Sequence, residues 1–325
     1  MTPFQRALHE QICASDRITV EAFMAACNDH YYATRDPLGV GGDFTTAPEI
    51  SQMFGELVGA ALADSWVRAG RPEGLAYVEL GPGRGTLAAD ALRVLRSAKV
   101  DPMVHLVETS PKLREAQGRA VPGAQWHVSL DTLPCDGPLL VVANEFLDAL
   151  PIRQHVGQEE RHVMLAGDRL AFDREGEIVE TSPARDLVVD ALARRLVAQG
   201  GAALIVDYGH IRSGAGDTLQ AVKAHRFAAV LDQPGEQDLT SHVDFERVIE
   251  VAREAGCIVA GPDEQGPWLE ELGIIARAAA LAARSPERFV EIEMARARLC
   301  RPDRMGSLFK LVAICSPKWP TPAGL

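Results

Sequence analysis

Apolar residues recur with helical spacing through the first part of the chain. Between residues 3 and 28 they predict two helices, with a break near Asp16. A Gly-rich loop over residues 38–43 follows. The start of the chain is therefore predicted to be helical.

A third helix is predicted to begin near Thr46. This threonine has the character of an N-cap, Pro48 lies near the first turn and Glu49 is an early acid. The apolar positions continue to Trp66. We interpret residues 1–70 as a helical cap beside the rest of the chain.

Short apolar runs alternate with helical stretches after residue 75. The predicted order is strand 76–80, helix 86–98, strand 104–108, helix 111–119, strand 125–128 and strand 139–143. Such alternation is typical of a parallel sheet with helices on both faces. We therefore predict an α/β fold.

The second half of the chain interrupts this alternation and then resumes it. Four runs between residues 152 and 180 predict a small antiparallel excursion, before a helix at 184–198 and a strand at 202–207. Strands at 257–261 and 308–315, with helical material between them, predict an antiparallel end to the sheet. We place the main domain at 71–325, with insertions at about 152–183, 210–245 and 266–304.

The run YVELGPGRGTL at residues 77–87 has the clearest functional pattern. An apolar strand reaches Glu79, and Gly81, Gly83 and Gly85 lead into a helix. Glycines permit positive φ and close backbone approach to a ligand, and the helix start offers unpaired N–H groups. The G-x-G-x-G spacing differs from the dinucleotide fingerprint. The acid before the first glycine suits a ligand with a cationic or amino-acid end.

S-adenosylmethionine is such a ligand. A second acid is then expected at the end of the next strand, where it holds ribose hydroxyls, and Glu108 occupies that position. Ser129 and Leu130 follow the third short strand, where adenine is expected. A glycine turn formed only for tight packing is the alternative, which Glu79 and Glu108 together disfavour.

Asn144 and Glu145 follow an apolar strand directly. Because ligands of open α/β sheets lie outside the carboxyl ends of the strands, both side chains are expected to face the reacting group. A carboxylate there can hold a cationic nitrogen or accept its proton. The structural alternatives are that Asn144 caps a turn and that Asp148 starts a helix.

Asp207 and Tyr208 end the later strand at 202–207, so we take them, with His242, as candidate substrate-binding residues. Packing of the Tyr208 ring is an equal alternative. The histidines lack a metal-binding spacing, and we predict no metal. Ser110 and Ser241 lack the context of a hydrolase nucleophile.

Composition excludes several classes of protein. The net charge of −12 over 325 residues disfavours a nucleic-acid partner. No apolar run is long enough for membrane insertion, and the first residues lack a secretory signal. Six scattered cysteines indicate reduced thiols. We expect a soluble cytoplasmic enzyme.

Six motifs follow one another along the chain: GDFTTAPEISQMFGE (42–56), VELGPGRGTL (78–87), NEFLDALP (144–151), VDYGH (206–210), DLTSHVDF (238–245) and MGSLFK (305–310). Together they resemble the MidA-type class I methyltransferases, the family of the mitochondrial complex I assembly factor that dimethylates an arginine. The resemblance spans roughly residues 30–315.

This resemblance implies a Rossmann-like seven-stranded sheet that binds S-adenosylmethionine, an added cap, and protein arginine as the acceptor, with a complex I subunit as one client. It places the cofactor at Gly81–Gly85, Thr86, Glu108 and Asn144, and it implies that the stretch containing Gly42, Asp43 and Glu49 closes over it. Glu145 is our first choice for holding the guanidinium, and Glu49 is the second. Because the start of the chain lacks a transit peptide, we expect a bacterial protein.

Three other functions stay open at this stage. The chain could bind a client protein and use the cofactor as a structural ligand, or it could methylate a small molecule. A nicotinamide dehydrogenase is disfavoured by the glycine spacing and by Glu79.

Overall fold

The computed structural model describes residues 1–35, 42–43 and 45–325. Residues 38–41 of the predicted Gly-rich loop and Phe44 of the first motif lie outside the described residues.

The helices of the described chain are α1 (Pro3–Ser15), α2 (Val20–Thr34), α3 (Ala47–Ile50), α4 (Gln52–Arg68), α5 (Thr86–Ser97), α6 (Pro111–Ala120), α7 (Pro183–Gln199), α8 (Phe245–Glu254), α9 (Gln265–Glu271), α10 (Ile274–Arg284), α11 (Phe289–Cys300) and α12 (Met305–Leu308). The strands are β1 (Arg17–Thr19), β2 (Ala76–Leu80), β3 (Met103–Val107), β4 (Gln125–His127), β5 (Leu139–Asn144), β6 (Arg153–Val156), β7 (Glu159–Glu160), β8 (His162–Ala166), β9 (Arg169–Phe172), β10 (Ile178–Thr181), β11 (Gly201–His210), β12 (Gln220–Lys223), β13 (Arg226–Ala228), β14 (Asp238–Thr240), β15 (Val243–Asp244), β16 (Ile258–Glu264) and β17 (Phe309–Cys315).

A central sheet with the order β4-β3-β2-β5-β11-β17-β16 organises the chain. The first five strands are parallel, whereas β17 lies antiparallel between β11 and β16. The predicted α/β fold with a mostly parallel sheet and an antiparallel end is confirmed. Since β2, β3, β5 and β11 run in the same direction, their carboxyl ends meet at one edge of the sheet.

Apolar side chains fill both faces of this sheet. Every residue of β2, β5 and β17 is buried, as is typical of strands that are covered by helices on both sides. One face packs against α4, α5 and α10, and the other packs against α7 and α8. The sheet edge is therefore held rigidly from both faces.

Two glycines bring α4 unusually close to α5. A Cβ atom on Gly59 would lie 2.6 Å from the carbonyl oxygen of Ala91, and one on Gly55 would lie 2.7 Å from the Cβ of Asp90. Helix α4 thus packs into the main core, although it falls within residues 1–70. The division at residue 70 stays a prediction.

A separate apolar cluster joins α1 and α2 to the small antiparallel strands. Strand β1 pairs with β8, and β8 pairs with β9. The four predicted strands of the antiparallel excursion are present, but they divide between two sheets, β1-β8-β9 and β10-β6-β7. The pattern missed this division, the short strand β7 and the strand that the N-terminal segment contributes. The break predicted near Asp16 is also present, since α1 ends at Ser15.

The single helix predicted from Thr46 to Trp66 is wrong, because the chain breaks at Ser51. This residue is extended, with φ −163°, and its hydroxyl accepts a hydrogen bond from the N–H of Met53, which caps α4. Thr46 does occupy the N-cap position of α3, but its side chain makes no capping bond.

Candidate active site

A cavity of about 600 Å³ opens at the carboxyl edge of the central sheet. This volume lies within the range of small-molecule sites. The predicted site residues that line it are Glu49, Glu79, Gly81, Gly83, Thr86, Glu108, Asn144 and Glu145. The structure therefore brings together groups that follow three different strands.

The turn after β2, residues 81–85 (the β2 turn), forms one wall of the cavity. Gly81, Gly83 and Gly85 have φ values of 61°, 53° and 81°, which an L side chain adopts only with strain. A Cβ atom on Gly81 would lie 2.8 Å from the ring of Phe146. Helix α5 begins directly afterwards at Thr86, so its first N–H groups lie at the same wall.

Glu79 is almost fully buried beneath the β2 turn. It accepts a hydrogen bond from the hydroxyl of Tyr77 at 2.6 Å. Burial raises its pKa to about 8, although the tyrosine lowers it in part. A cation placed beside Glu79 would restore the ionised form.

Glu108 lies just beyond β3 and is tied to the β2 turn through Gln117. Its carboxylate accepts hydrogen bonds from the N–H of Ser110 at 2.7 Å and from Nε2 of Gln117 at 3.2 Å. The same Nε2 donates to the carbonyl oxygen of Gly83 at 2.7 Å. Burial raises the pKa of Glu108. Gln117 therefore fixes the distance between the two predicted cofactor segments.

The turn after β5, residues 145–148 (the β5 turn), begins with Glu145 in a left-handed conformation, φ 50°. Its Oε1 accepts hydrogen bonds from the N–H of Ala47 at 3.1 Å and from Nδ2 of Asn144 at 3.3 Å. Glu145 thus supplies the cap of α3 that Thr46 does not. Burial, followed by the nearby charge of Asp148, raises the pKa of Glu145 to about 8.

Glu49 is the third residue of α3. It accepts a hydrogen bond from the hydroxyl of Thr86 at 2.5 Å, and Nη1 of Arg84 lies 3.9 Å from its other oxygen. The short helix therefore carries one carboxylate of its own and is capped by another.

Five predicted cofactor residues are not part of the cavity lining within the described residues: Gly85, Ser129, Leu130, Gly42 and Asp43. Val128, one residue before the predicted adenine contacts, lines it instead. The carboxylate of Asp43 accepts hydrogen bonds from the hydroxyl of Tyr31 and the N–H of Ala224. Asp43 therefore ties its segment to α2 and to the β12–β13 hairpin.

The three candidate substrate-binding residues also lie outside the described lining. Asp207 is fully buried, and its carboxylate accepts hydrogen bonds from backbone N–H groups. The ring of Tyr208 packs edge-on against His242 and Phe309. The Tyr208 ring therefore packs inside the protein, and its contact with a substrate stays a prediction.

Asp148 was considered as the possible start of a helix. It lies in a turn instead.

One face of α2 forms a wall that sequence reasoning missed. It consists of Ala25, Asn28, Asp29, Tyr32 and Ala33. Asn28 is held by hydrogen bonds from its Nδ2 to the carbonyl oxygens of Ala149, 3.0 Å, and Leu239, 2.8 Å. The sequence shows the helical spacing of these residues, but this spacing does not indicate that one face of the helix lines a cavity.

Two buried polar atoms at the cavity have no partner within the described residues, Oδ1 of Asn144 and Oγ of Ser110. An unpaired buried polar atom is costly, so such atoms are typical of sites completed by a ligand. A nucleoside with a cationic amino-acid end fits this set: glycines for close approach, buried carboxylates and two unsatisfied oxygens.

Comparisons with known proteins decide the family. A family model described as an S-adenosyl-L-methionine-dependent methyltransferase matches residues 57–169 and 162–263. The chain belongs to this family. The predicted resemblance, the cofactor and the assignment as a methyltransferase are confirmed.

Curated relatives match nearly the full length of this methyltransferase. Protein arginine methyltransferase NDUFAF7, mitochondrial, of Xenopus laevis is 35% identical over 87% of this chain and 77% of the relative. Its homolog in Drosophila melanogaster is 37% identical over the same shares.

A solved structure agrees with the fold and with the ligand. A Burkholderia thailandensis protein crystallised with S-adenosyl-homocysteine is 25% identical, covers 99% of this chain and 94% of its own, and superposes with a TM-score of 0.85. S-adenosyl-homocysteine is the product that remains when S-adenosylmethionine has lost its methyl group.

No group of three or more histidine, cysteine or acidic side chains among the described residues could hold a metal ion. None of the described helices has both the length and the apolar character needed to cross a membrane.

Proposed function

We propose that this methyltransferase transfers a methyl group to an arginine nitrogen of a protein. The curated relatives carry the name protein arginine methyltransferase. The observation that carries the proposal in this chain is the pair of carboxylates, Glu145 and Glu49, in the cavity that also contains the cofactor-binding turns.

Paired carboxylates suit a guanidinium in two ways. A guanidinium presents its N–H groups in a planar fork that carboxylates accept well, so two acids can fix its orientation. A base is also needed to take the proton that the nitrogen loses. Burial raises the pKa of Glu145 to about 8. A guanidinium bound beside it would favour the ionised carboxylate, which can then accept the proton. Glu145 is therefore the base in this proposal, and Glu49 orients the acceptor.

The other predicted residues that line the cavity would hold the cofactor. Glu79 and the glycines of the β2 turn would bind its amino-acid end, and Glu108 would accept hydrogen bonds from its ribose hydroxyls. When bound, S-adenosylmethionine would supply an activated methyl group. Asn144 would offer its Oδ1, which has no partner among the described residues. The protein mainly positions donor and acceptor, which makes a bimolecular reaction effectively unimolecular.

The acceptor is tested by incubating the purified enzyme with tritiated S-adenosylmethionine and a lysate from a strain that lacks the gene. Acid hydrolysis of the labelled protein should release methylated arginine. Label in another amino acid, or only in small molecules, would contradict the arginine proposal while leaving the methyltransferase assignment intact.

The role of Glu145 is tested by Glu145→Gln, which keeps the shape of the side chain. Methyl incorporation should fall by at least about 100-fold, the usual contribution of a positioned base. The affinity for S-adenosyl-homocysteine, measured by calorimetry, should change by less than about twofold. Glu254→Gln, an exposed acid on α8, is the matched control and should leave both quantities unchanged.

The client and the cellular location are further parts of this proposal. Resemblance to the complex I assembly factor supports a complex I subunit as a client, and purified complex I from the deletion strain can replace the lysate in the same assay. A cytoplasmic location in a bacterium stays a prediction.

A further inference from the structure

The β5 turn holds its first residue in a conformation that few residues adopt. Glu145 has a φ of 50°, and it is neither glycine nor asparagine. Such a residue costs on the order of 1–3 kcal/mol and persists only when its surroundings fix it. The surroundings of the β5 turn therefore have to supply that restraint.

Asp207 supplies the negative half of the restraint. Its Oδ2 accepts hydrogen bonds from three successive N–H groups, those of Phe146 at 3.2 Å, Leu147 at 2.9 Å and Asp148 at 3.2 Å. Its Oδ1 accepts from the N–H of Tyr208 at 3.0 Å. Successive N–H groups after a left-handed residue form an anion-binding concavity. Here the anion is a side chain of the protein itself.

Arg185 of α7 supplies the positive half. Its guanidinium donates to the carbonyl oxygens of Leu147 at 2.7 Å and Asp148 at 3.3 Å. It also donates to the carbonyl oxygens of Ser241 and His242. The N–H side of the β5 turn is thus held by a buried carboxyl group, and its C=O side is held by a buried guanidinium.

We infer that Asp207 is the positioning residue of Glu145: by holding the N–H groups of the β5 turn, it keeps Glu145 left-handed and its carboxylate directed at Ala47 and the cavity. Asp207 does not touch the acceptor, since it is fully buried behind the turn. The inference rests on the proposed role of Glu145 as the base.

The direct test is Asp207→Asn, which keeps the size of the side chain and loses its charge. Amide nitrogen and proton chemical shifts of Phe146, Leu147 and Asp148 should all move in this variant, because three charge-assisted hydrogen bonds weaken together. Unchanged chemical shifts would overturn the positioning role of Asp207 and would leave the proposed role of Glu145 untouched. Asp173→Asn is the matched control, since Asp173 also accepts a hydrogen bond from a backbone N–H, but from that of His162, which lies outside the β5 turn.

The functional test is a double-mutant cycle between Asp207→Asn and Glu145→Gln. Asp207→Asn alone should slow methyl transfer at saturating cofactor by about tenfold or more, because a displaced base costs rate, and it should leave the affinity for S-adenosyl-homocysteine within about twofold. In the Glu145→Gln background the further loss should be much smaller, since the two residues act through one group.

An equal loss in both backgrounds would overturn the positioning role, because a residue with a merely structural function lowers activity whether or not Glu145 is present. Full activity of Glu145→Gln would remove Glu145 from the proposed function, and the catalytic consequence of Asp207 with it. The amide shifts would still report whether Asp207 holds the turn, so the two failures are distinguishable.

Discussion

The β2 turn and the β5 turn form adjoining walls of the same cavity, and they reach their unusual backbone conformations by different means. In the β2 turn three glycines take positive φ, a conformation that glycine adopts at no steric cost. In the β5 turn a glutamate takes positive φ because Asp207 and Arg185, which lie on other elements, hold the backbone on both sides. One turn is specified locally, and the other is specified by the completed fold.

This contrast fits the different tasks of the two turns. A cofactor that lies along the β2 turn needs open space above the backbone, which glycine provides. The β5 turn must instead present a carboxylate at a fixed position, and glycine would leave that position without a side chain. A non-glycine residue with positive φ therefore requires external restraint.

Removal of Arg185 should give the largest effect and break the β5 turn selectively. Arg185→Met leaves several buried carbonyl groups unpaired and Asp207 without its nearest positive charge. We expect a loss of about 3–5 kcal/mol in the free energy of unfolding, measured with urea. Arg194→Met, at an exposed position of the same helix, should cost less than about 0.5 kcal/mol. A loss below about 1 kcal/mol for Arg185→Met would show that the turn is restrained locally after all.

The dependence of the unfolding free energy on pH tests two buried acids, Glu79 beside the β2 turn and Glu145 in the β5 turn. Burial raises the pKa of both Glu79 and Glu145 to about 8, from an ordinary value of about 4.3. Between these values the folded chain binds protons that the unfolded chain has released, so the free energy of unfolding should fall as the pH rises from about 4.3 to about 8.

Urea unfolding of the cofactor-free protein at several pH values between 5 and 9 measures this slope. Glu79→Gln and Glu145→Gln should each make the decline shallower. A stability that rises over this range, or a slope that neither variant changes, would contradict the assignment of these two carboxyls.

Two glycines allow the effect of backbone strain to be measured separately from the effect of a steric clash with Phe146. Gly81 and Gly157 both have a φ of 61°, but a Cβ on Gly81 would meet Phe146 at 2.8 Å, whereas one on Gly157 would meet nothing within 4 Å. Gly81→Ala and Gly157→Ala should both lose about 1–2 kcal/mol of stability. Only Gly81→Ala should also weaken binding of S-adenosyl-homocysteine, by about tenfold, because it displaces the ring that joins the two walls. Equal affinities would indicate that the two turns are independent.

Removal of the Ser110 hydroxyl should have the smallest effect. Since Oγ of Ser110 is buried and has no partner among the residues that the structure describes, Ser110→Ala should leave the unfolding free energy of the cofactor-free protein unchanged or slightly higher. If the ligand completes this hydrogen bond, the affinity for S-adenosyl-homocysteine should fall by about threefold to tenfold. Unchanged affinity in calorimetry would exclude Ser110 from the cofactor contacts.

The same contrast explains what the sequence could predict. The strands and the β2 turn were predictable because buried parallel strands are continuous apolar runs and because glycines mark positive φ. Glu79, Glu108, Asn144 and Glu145 were predictable because carboxyl ends of parallel strands meet at one edge.

Other features depend on partners far away in the chain, so no local pattern marks them. Arg185 is one charged residue in a helix that carries several, and its burial depends on turns that lie 37 to 57 residues away. The cap of α3 is another such feature, because Glu145 lies 98 residues from Ala47. The cavity wall on α2 was missed for the same reason.

The clamp formed by Asn28 has a consequence for the order in which the protein is made. Its side-chain amide bonds Ala149 and Leu239, which follow it by 121 and 211 residues. During synthesis the β2 turn and the β5 turn therefore leave the ribosome well before Leu239, the later of the two partners of Asn28. Premature termination upstream of Leu239 would therefore leave α2 in the chain but remove one of the two backbone carbonyl groups that Asn28 binds.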